Sequence, residues 1–336
     1  MNASSTSLEA SHFPVMLEKI IQICSPKKGE TFVDCTFGGG GYSNKLLKFQ
    51  KTKVIAFDRD NFILQIAGDI KKKYPKRFFF YRKKFSQINT VLSKNSADNI
   101  IFDLGLSSIQ LNNFKRGFSF KSKDKLDMSM GLTDISAEEV VNNCSEKKLG
   151  LILKILGEEK EAFNIAKNII KARKIKRISH VDQLYEIIIK SKKKNYHSKI
   201  NPCTKTFQAL RIFVNKEITE LITGIINAAK IIKPGGKILI VSFHSIEDKI
   251  VKYFFNNFSL NRARSSRYFP ESDDRSVLFE KYQNKIFRPS NKEIKINPPS
   301  RSAKLRFAIR NDDQFVYPTE LKDKFKKYLT LENNYV

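Results

Sequence analysis

The stretch Val33-Asp34-Cys35-Thr36-Phe37-Gly38-Gly39-Gly40-Gly41-Tyr42-Ser43 decides the fold. Just before the glycines, Thr31–Cys35 (TFVDC) is a short apolar run of strand length, and after them Ser43–Phe49 reads as a helix. Glycines at such a junction let the backbone take positive φ and approach a ligand closely. A flexible linker would not be framed by a strand and a helix. A second apolar run, Lys53–Phe57 (KVIAF), ends in Asp58-Arg59-Asp60. An acid placed there can accept hydrogen bonds from both hydroxyls of a ribose. The order strand, glycine turn, helix, strand, acid therefore implies an adenosine-containing cofactor. NAD and S-adenosylmethionine both satisfy it. Gly38-x-Gly40-x-x-Ser43 is one residue short of the dinucleotide fingerprint, and no GxxxxGK[ST] occurs, which argues against a nucleotide-hydrolysing P-loop.

Working outward, Asn61–Tyr74 reads as a helix closed by Pro75, Phe78–Tyr81 as a third strand and Asn99–Leu104 as a fourth. The pattern resumes late in the chain with Lys237–Phe243 (KILIVSF) after Pro234-Gly235-Gly236, and with Ala303–Ile309. Strands alternating with helices predict an α/β fold with a mostly parallel sheet covered on both faces. Between Ile109 and Lys205 no buried strand stands out. Ser136 and Glu139 make a capping box, and Leu149–Leu156, Glu159–Lys174 and Val181–Lys190 read as helices. Thr206–Ala229 reads as one long helix. The domains expected are thus a discontinuous α/β domain, 1–108 with 206–336, and a helical insertion, 109–205. Arg262–Pro299 reads as a long loop or hairpin, and the charged tail after Asn311 as peripheral.

The chain has 336 residues, enough for a large domain and a smaller one. Its 62 basic and 34 acidic residues leave a formal charge of +28, which attracts polyanions such as RNA or DNA. Abundant Lys, Ile, Asn and Phe without Trp also fit drift toward AT-rich codons, so charge alone does not decide. The opening MNASSTSLEA lacks an apolar core and predicts no signal peptide. No window has the length of uncharged apolar residues that a membrane span needs. Cys24, Cys35, Cys144 and Cys203 form no zinc spacing and fit a reducing, cytoplasmic setting; no metal is expected.

Longer motifs then accumulate in order. They are His12-Phe13-Pro14-Val15-Met16-Leu17, the block Asp34–Ser43, Asp103-Leu104-Gly105-Leu106-Ser107-Ser108-Ile109-Gln110-Leu111, Arg116-Gly117-Phe118-Ser119-Phe120 and Leu126-Asp127-Met128-Ser129-Met130. Later come Thr206–Ile212 with Val214-Asn215, Ser242-Phe243-His244-Ser245-Ile246-Glu247-Asp248 and Ser302-Ala303-Lys304-Leu305-Arg306. Together they resemble the bacterial 16S rRNA cytosine-N4 methyltransferases of the RsmH/MraW family. The resemblance implies a class I, Rossmann-like methyltransferase with an inserted α-helical domain that recognises RNA. It implies S-adenosyl-L-methionine as cofactor, and as partner 16S rRNA within the small ribosomal subunit. The reaction implied is methylation of the N4 amine of a decoding-centre cytosine. Cofactor contacts carry over to Gly40, Gly41, Tyr42, Asp58, Phe85, Asp103 and Gln110. This sequence departs from the family at Tyr42, usually His; at Ile109, usually Pro; at Ser129, usually Arg; and at Pro299 and Ser300.

Methyl transfer to a poorly nucleophilic amine needs that nitrogen held in line with the sulfonium methyl. Asp103 is the catalytic candidate as an acceptor near the amine, with a purely cofactor-binding role as its alternative. Ser108, Arg116 and His244 are substrate-binding candidates. For His244 the plainer reading is that Ser245 and Asp248 cap the next helix while the imidazole shapes the pocket. Phe118 and Phe120 can stack a base or fill the core of the insertion. Lys71–Lys73, Lys171–Arg177 and Lys190–Lys194 can contact phosphates or simply end helices. The rival functions are a methyltransferase acting on another nucleic acid or on protein, an NAD-binding dehydrogenase, and a non-catalytic RNA-binding protein. Intact Gly40, Asp58 and Asp103 argue against the last.

Overall fold

The computed structural model describes residues 14–192, 201–260 and 277–334. Its strands form one six-stranded sheet: β1 (Thr31–Asp34), β2 (Lys53–Asp58), β3 (Phe78–Arg82), β4 (Ala97–Asp103), β5 (Ile232–Ser242) and β6 (Lys304–Ile309), in the order β3-β2-β1-β4-β5-β6. Neighbours are parallel except β6, which runs antiparallel to β5. The apolar runs read as strands are buried on both faces: Phe32 and Val33, Ile100 to Phe102, and Ile238 to Val241 are fully covered. The fold is therefore α/β with a mostly parallel sheet, as the sequence predicted. β5 begins before its expected start at Lys237. Ile232 already pairs with Ala97, and Pro234-Gly235-Gly236 forms a bulge before pairing resumes between Lys237 and Asn99.

The chain enters the sheet at its centre, steps outward to β3, then returns to the other side of β1 with β4. That reversal leaves a crevice at the carboxyl ends of β1 and β4, the usual ligand site of open α/β sheets. Helices α1 (Leu17–Cys24), α2 (Gly41–Leu47) and α3 (Leu64–Lys73) belong to this part. The expected helix from Asn61 opens instead with a 3-10 turn, Asn61–Ile63, which Asp60 caps by accepting from the Phe62 amide at 3.0 Å.

The chain divides into two compact units. The first is Met1–Ile109 with Gly224–Pro318, and the second is Gln110–Thr223 with Thr319–Val336. A short helix, α4 (Ser108–Asn112), carries the chain from one to the other. The second unit holds α5 (Ala137–Asn143), α6 (Glu146–Leu156), α7 (Ala162–Ile175), α8 (Val181–Ser191), α9 (Thr204–Asn215) and the start of α10 (Glu217–Ile231). The Ser136–Glu139 capping box is formed, each partner bonding the other's backbone. The first unit continues with α11 (Ser245–Asn257) and α12 (Asn291–Ile296), and the second is completed by α13 (Thr319–Lys324) and α14 (Lys326–Asn333).

Three expectations are corrected. The single helix Thr206–Ala229 is broken at Lys216, whose φ of 49° is left-handed. The buried Asn215 side chain stabilises the break: its Nδ2 donates to Met128 O and Arg211 O, and its Oδ1 accepts from the Met130 amide. Arg211 then bridges the break with a two-pronged bond to Glu217. Arg262–Pro299 is not all loop, because Ser290 caps α12 by accepting from the Glu293 amide; residues 261–276 lie outside the described residues. The tail is not peripheral. Leu321, Phe325, Tyr328 and Leu331 are buried, and Glu332 accepts from the Ile218 and Thr219 amides and from the Thr219 hydroxyl.

Glu332 thus caps the first turn of α10 from far along the chain. Burial pushes its carboxyl up to about 8 from 4.5. The folded state therefore holds this proton more tightly than the unfolded chain does, and the sign follows. Stability from this group is full below the unfolded value and is lost as pH rises through about 8. Urea unfolding at a series of pH values should show this decline, and Glu332→Gln, which keeps an acceptor but no charge, should flatten it. Glu332→Ala should lower stability by about 1–2 kcal/mol through loss of the cap.

Candidate active site

The glycine turn leaves β1 and is pinned at its neighbours. The Cys35 amide donates to Ile101 O on β4 at 2.9 Å, and the Phe37 amide to Phe57 O on β2 at 3.0 Å. Gly38 and Gly40 both have positive φ, 50° and 73°. A Cβ at Gly40 would lie 2.8 Å from Ile70 Cδ1 and 2.9 Å from the Phe37 ring, and one at Gly41 would lie 2.6 Å from Pro14 Cγ. The turn is therefore closed to side chains by its own packing as well as by its dihedrals.

The acid at the end of β2 organises this turn. Asp58 Oδ2 accepts from the Gly38 amide at 2.8 Å, and Oδ1 from the Asp60 amide at 2.9 Å. Burial raises its carboxyl above the usual range, opposed by these two bonds. Each oxygen keeps a lone pair, so the group can still accept from ribose hydroxyls. Below it, the fully buried Asp34 accepts from Ser43 Oγ at 2.7 Å, and burial moves it up to about 6.

Asp103 ends β4. Its amide donates to Thr36 Oγ1 at 2.7 Å, which locks the β4 end to the loop after β1. Its Oδ2 lies 3.2 Å from Tyr42 Oη, and the phenol donates to Val15 O at 2.5 Å. Oδ1 is buried and has no hydrogen-bond partner among the described residues. Burial first, then the charges of Asp34, Glu247 and Glu293, push Asp103 up to about 8. Phe85, after β3, is half-buried and sets its ring edge-to-face on Phe102, next to Asp103, at 5.4 Å. It can do so because residue 224 is glycine, where a Cβ would come within 2.5 Å of the ring.

His244 stands at the N-cap of α11, after β5. Its Nε2 lies 3.1 Å from Glu247 Oε1, within ion-pair reach but poorly aligned, and neither ring nitrogen has a hydrogen-bond partner among the described residues. The capping reading needs correction. Glu247, not Ser245 or Asp248, receives the Phe243 and His244 amides. Asp248 points elsewhere, to Lys304 Nζ and the buried Arg306 on β6, and these cations hold it below its ordinary value.

Gly40, Gly41, Tyr42, Asp58, Phe85, Asp103, Ser108 and His244 all belong to the first unit, and the first six converge on the ends of β1, β2 and β4. Gln110 and Arg116 fall in the second unit, both buried. Arg116 donates to Ser129 O at 2.7 Å and lies over the Phe118 ring, itself buried. Phe120 packs edge-to-face on Phe207. Several residues of the basic runs are likewise engaged: Lys71 with Phe78 O, Arg173 with Val141 O and Cys144 O, Arg177 with Glu138, and Lys192 in a buried pair with Glu159. Lys193 and Lys194 lie outside the described residues. Sequence reasoning missed Thr36, Asp34 with Ser43, and Glu293, which accepts from the Met16 amide at 2.6 Å. The polar residues at either end of the glycine run were the available signal for the first three.

The sequence model of the MraW methylase family matches residues 9–311. The chain belongs to the MraW methylase family. It is 42% identical over 302 residues to ribosomal RNA small subunit methyltransferase H of Rickettsia massiliae (strain Mtu5), covering 89% of this chain and 97% of that protein. The same enzyme of Rickettsia akari (strain Hartford) is 41% identical over 302 residues, covering 89% of this chain and 98% of that one. As an MraW methylase, the protein takes its methyl group from S-adenosyl-L-methionine. The residues present suit that cofactor. Asp58 offers spare lone pairs to a ribose, and the unpartnered Asp103 Oδ1 is a buried acceptor suited to a cationic ligand. Gly40→Ala should lower stability by about 1–3 kcal/mol, through the left-handed φ and the contact with Phe37 and Ile70. Chemical denaturation of the purified variant checks this.

Proposed function

We propose that this MraW methylase transfers a methyl group to the N4 amine of a cytosine in the decoding centre of 16S rRNA. We place it in the cytoplasm, acting on the small ribosomal subunit rather than on naked RNA. Near-full-length similarity to small-subunit rRNA methyltransferases supports the substrate class. The observation that carries the chemistry is the end of β4: a buried, unpartnered carboxylate oxygen on Asp103, followed by the polar loop Leu104–Ser108. Among the described residues no helix is long and apolar enough to cross a membrane.

When bound, the cofactor supplies an electrophilic methyl on a sulfonium. Gly40, Gly41 and Tyr42 would border it on one side, Asp58 would hold the ribose hydroxyls, and Phe85, Asp103 and Gln110 would complete the contacts. The chain's task is then to position a weak nucleophile. The cytosine amine delocalises its lone pair into the ring, so acceptors near its N–H groups favour the more tetrahedral nitrogen of the transition state. Asp103 and the carbonyls of Leu104–Ser108 are the acceptors we assign to this. The target base must leave its stack to reach them. Ser108 and His244 would meet it, the latter with both ring nitrogens free for hydrogen bonding. Arg116 contributes by holding the segment 116–130 in shape through Ser129 and Phe118.

Purified protein, labelled cofactor and small subunits lacking the modification should yield N4-methylcytidine in 16S rRNA by mass spectrometry. Label appearing in protein or at another base would overturn the proposal. Asp58→Ala should weaken cofactor binding by about tenfold to a hundredfold, the worth of hydrogen bonds to a charged acceptor. Calorimetric titration with S-adenosylhomocysteine reads this directly.

A further inference from the structure

The Tyr42 phenol has one hydrogen for two oxygen neighbours. Val15 O is a carbonyl and can only accept. It is also the nearer partner, at 2.5 Å against 3.2 Å for Asp103 Oδ2. The phenol hydrogen therefore belongs to Val15. A charged Asp103 would then face the phenol oxygen lone pair to lone pair, inside a buried site. The contact becomes a hydrogen bond only when Asp103 Oδ2 carries a hydrogen and donates it to Tyr42 Oη.

The surrounding groups agree. Those facing Asp103 are Tyr42 from α2, Asp34 from β1, Glu247 from α11 and Glu293 from α12. None is a cation, and Lys304 and Arg306 on β6 are held by Asp248. Two like charges in a dry cleft raise each other's affinity for protons.

We infer that Asp103 is a neutral acid in the cofactor-free protein, and that binding of the cationic cofactor expels its proton. The bond that breaks is Asp103 Oδ2–H; the proton goes to solvent, and the carboxylate left behind balances the positive charge of the ligand. Tyr42 is a positioning residue. It joins the N-terminal segment at Val15 to the group that changes charge. This rests on the cofactor reading above.

The test is calorimetric titration of S-adenosylmethionine in phosphate and in Tris at pH 7, whose different ionisation heats count the protons released. Asp103→Asn, an uncharged isostere that can donate to Tyr42, corrects for protons moved by the ligand's own amine. Wild type should release about one proton more than D103N, and its affinity should rise close to tenfold between pH 6 and 7 relative to that variant. Tyr42→Phe should still release the proton, because the source is the carboxyl. Equal proton release in wild type and D103N would show Asp103 already charged and overturn the inference. Loss of release in Y42F would move the proton to the phenol and overturn it too. Absence of any binding by wild type would instead sink the cofactor reading, and this inference with it.

Discussion

The hydrogen bond from the Gly38 amide to Asp58 Oδ2 fixes the geometry on which the site depends. It joins the turn after β1 to the end of β2, while Thr36 joins the same turn to the end of β4 through the Asp103 amide. Both are short-range ties between strand ends that the parallel sheet has already brought together. The sheet supplies the register, and two side chains at its edge tie the strand ends into one rim. A methyl donor needs such a rim, because displacement at a sulfonium methyl depends on alignment more than on acid or base strength.

The rim also concentrates acidic groups. Asp34, Asp58 and Asp103 end consecutive strands in the sheet order, and burial raises all three. Asp34 is satisfied by Ser43, and Asp58 by two amides, but Asp103 keeps a bare oxygen. The buried Arg306 is spent on Asp248, Tyr282 and Asn284. The site is thus arranged to receive a cation rather than to provide one.

The sheet was legible because each strand is a compact apolar run bounded by glycine, proline or acid, and buried strands tolerate little else. Helix continuity was not. Nothing in Phe213-Val214-Asn215-Lys216-Glu217 breaks helical periodicity, and the turn at Lys216 exists because Asn215 finds partners in the distant segment 128–130. The C-terminal helices were overlooked for a different reason. Leu321, Phe325, Tyr328 and Leu331 recur at helical spacing, but Lys and Asp between them drown the signal. At the site, Gly40, Asp58 and Asp103 were visible from position alone. The single-proton conflict at Tyr42 was not, since it depends on where Val15 lies. The basic runs stayed open between phosphate contacts and helix ends, and several of their members serve as internal ties.

The clasp of Glu332 on α10 bears on biosynthesis. Its carboxylate and Thr219 are 113 residues apart in sequence. At ordinary rates of chain synthesis that separation is on the order of ten seconds of translation. Until then the first turn of α10 has uncapped amides, and the apolar surface that α14 covers stays open. Helices α5 to α9 emerge first and must wait in a partly assembled state, so vectorial folding of this unit concludes only when its latest-made helix arrives.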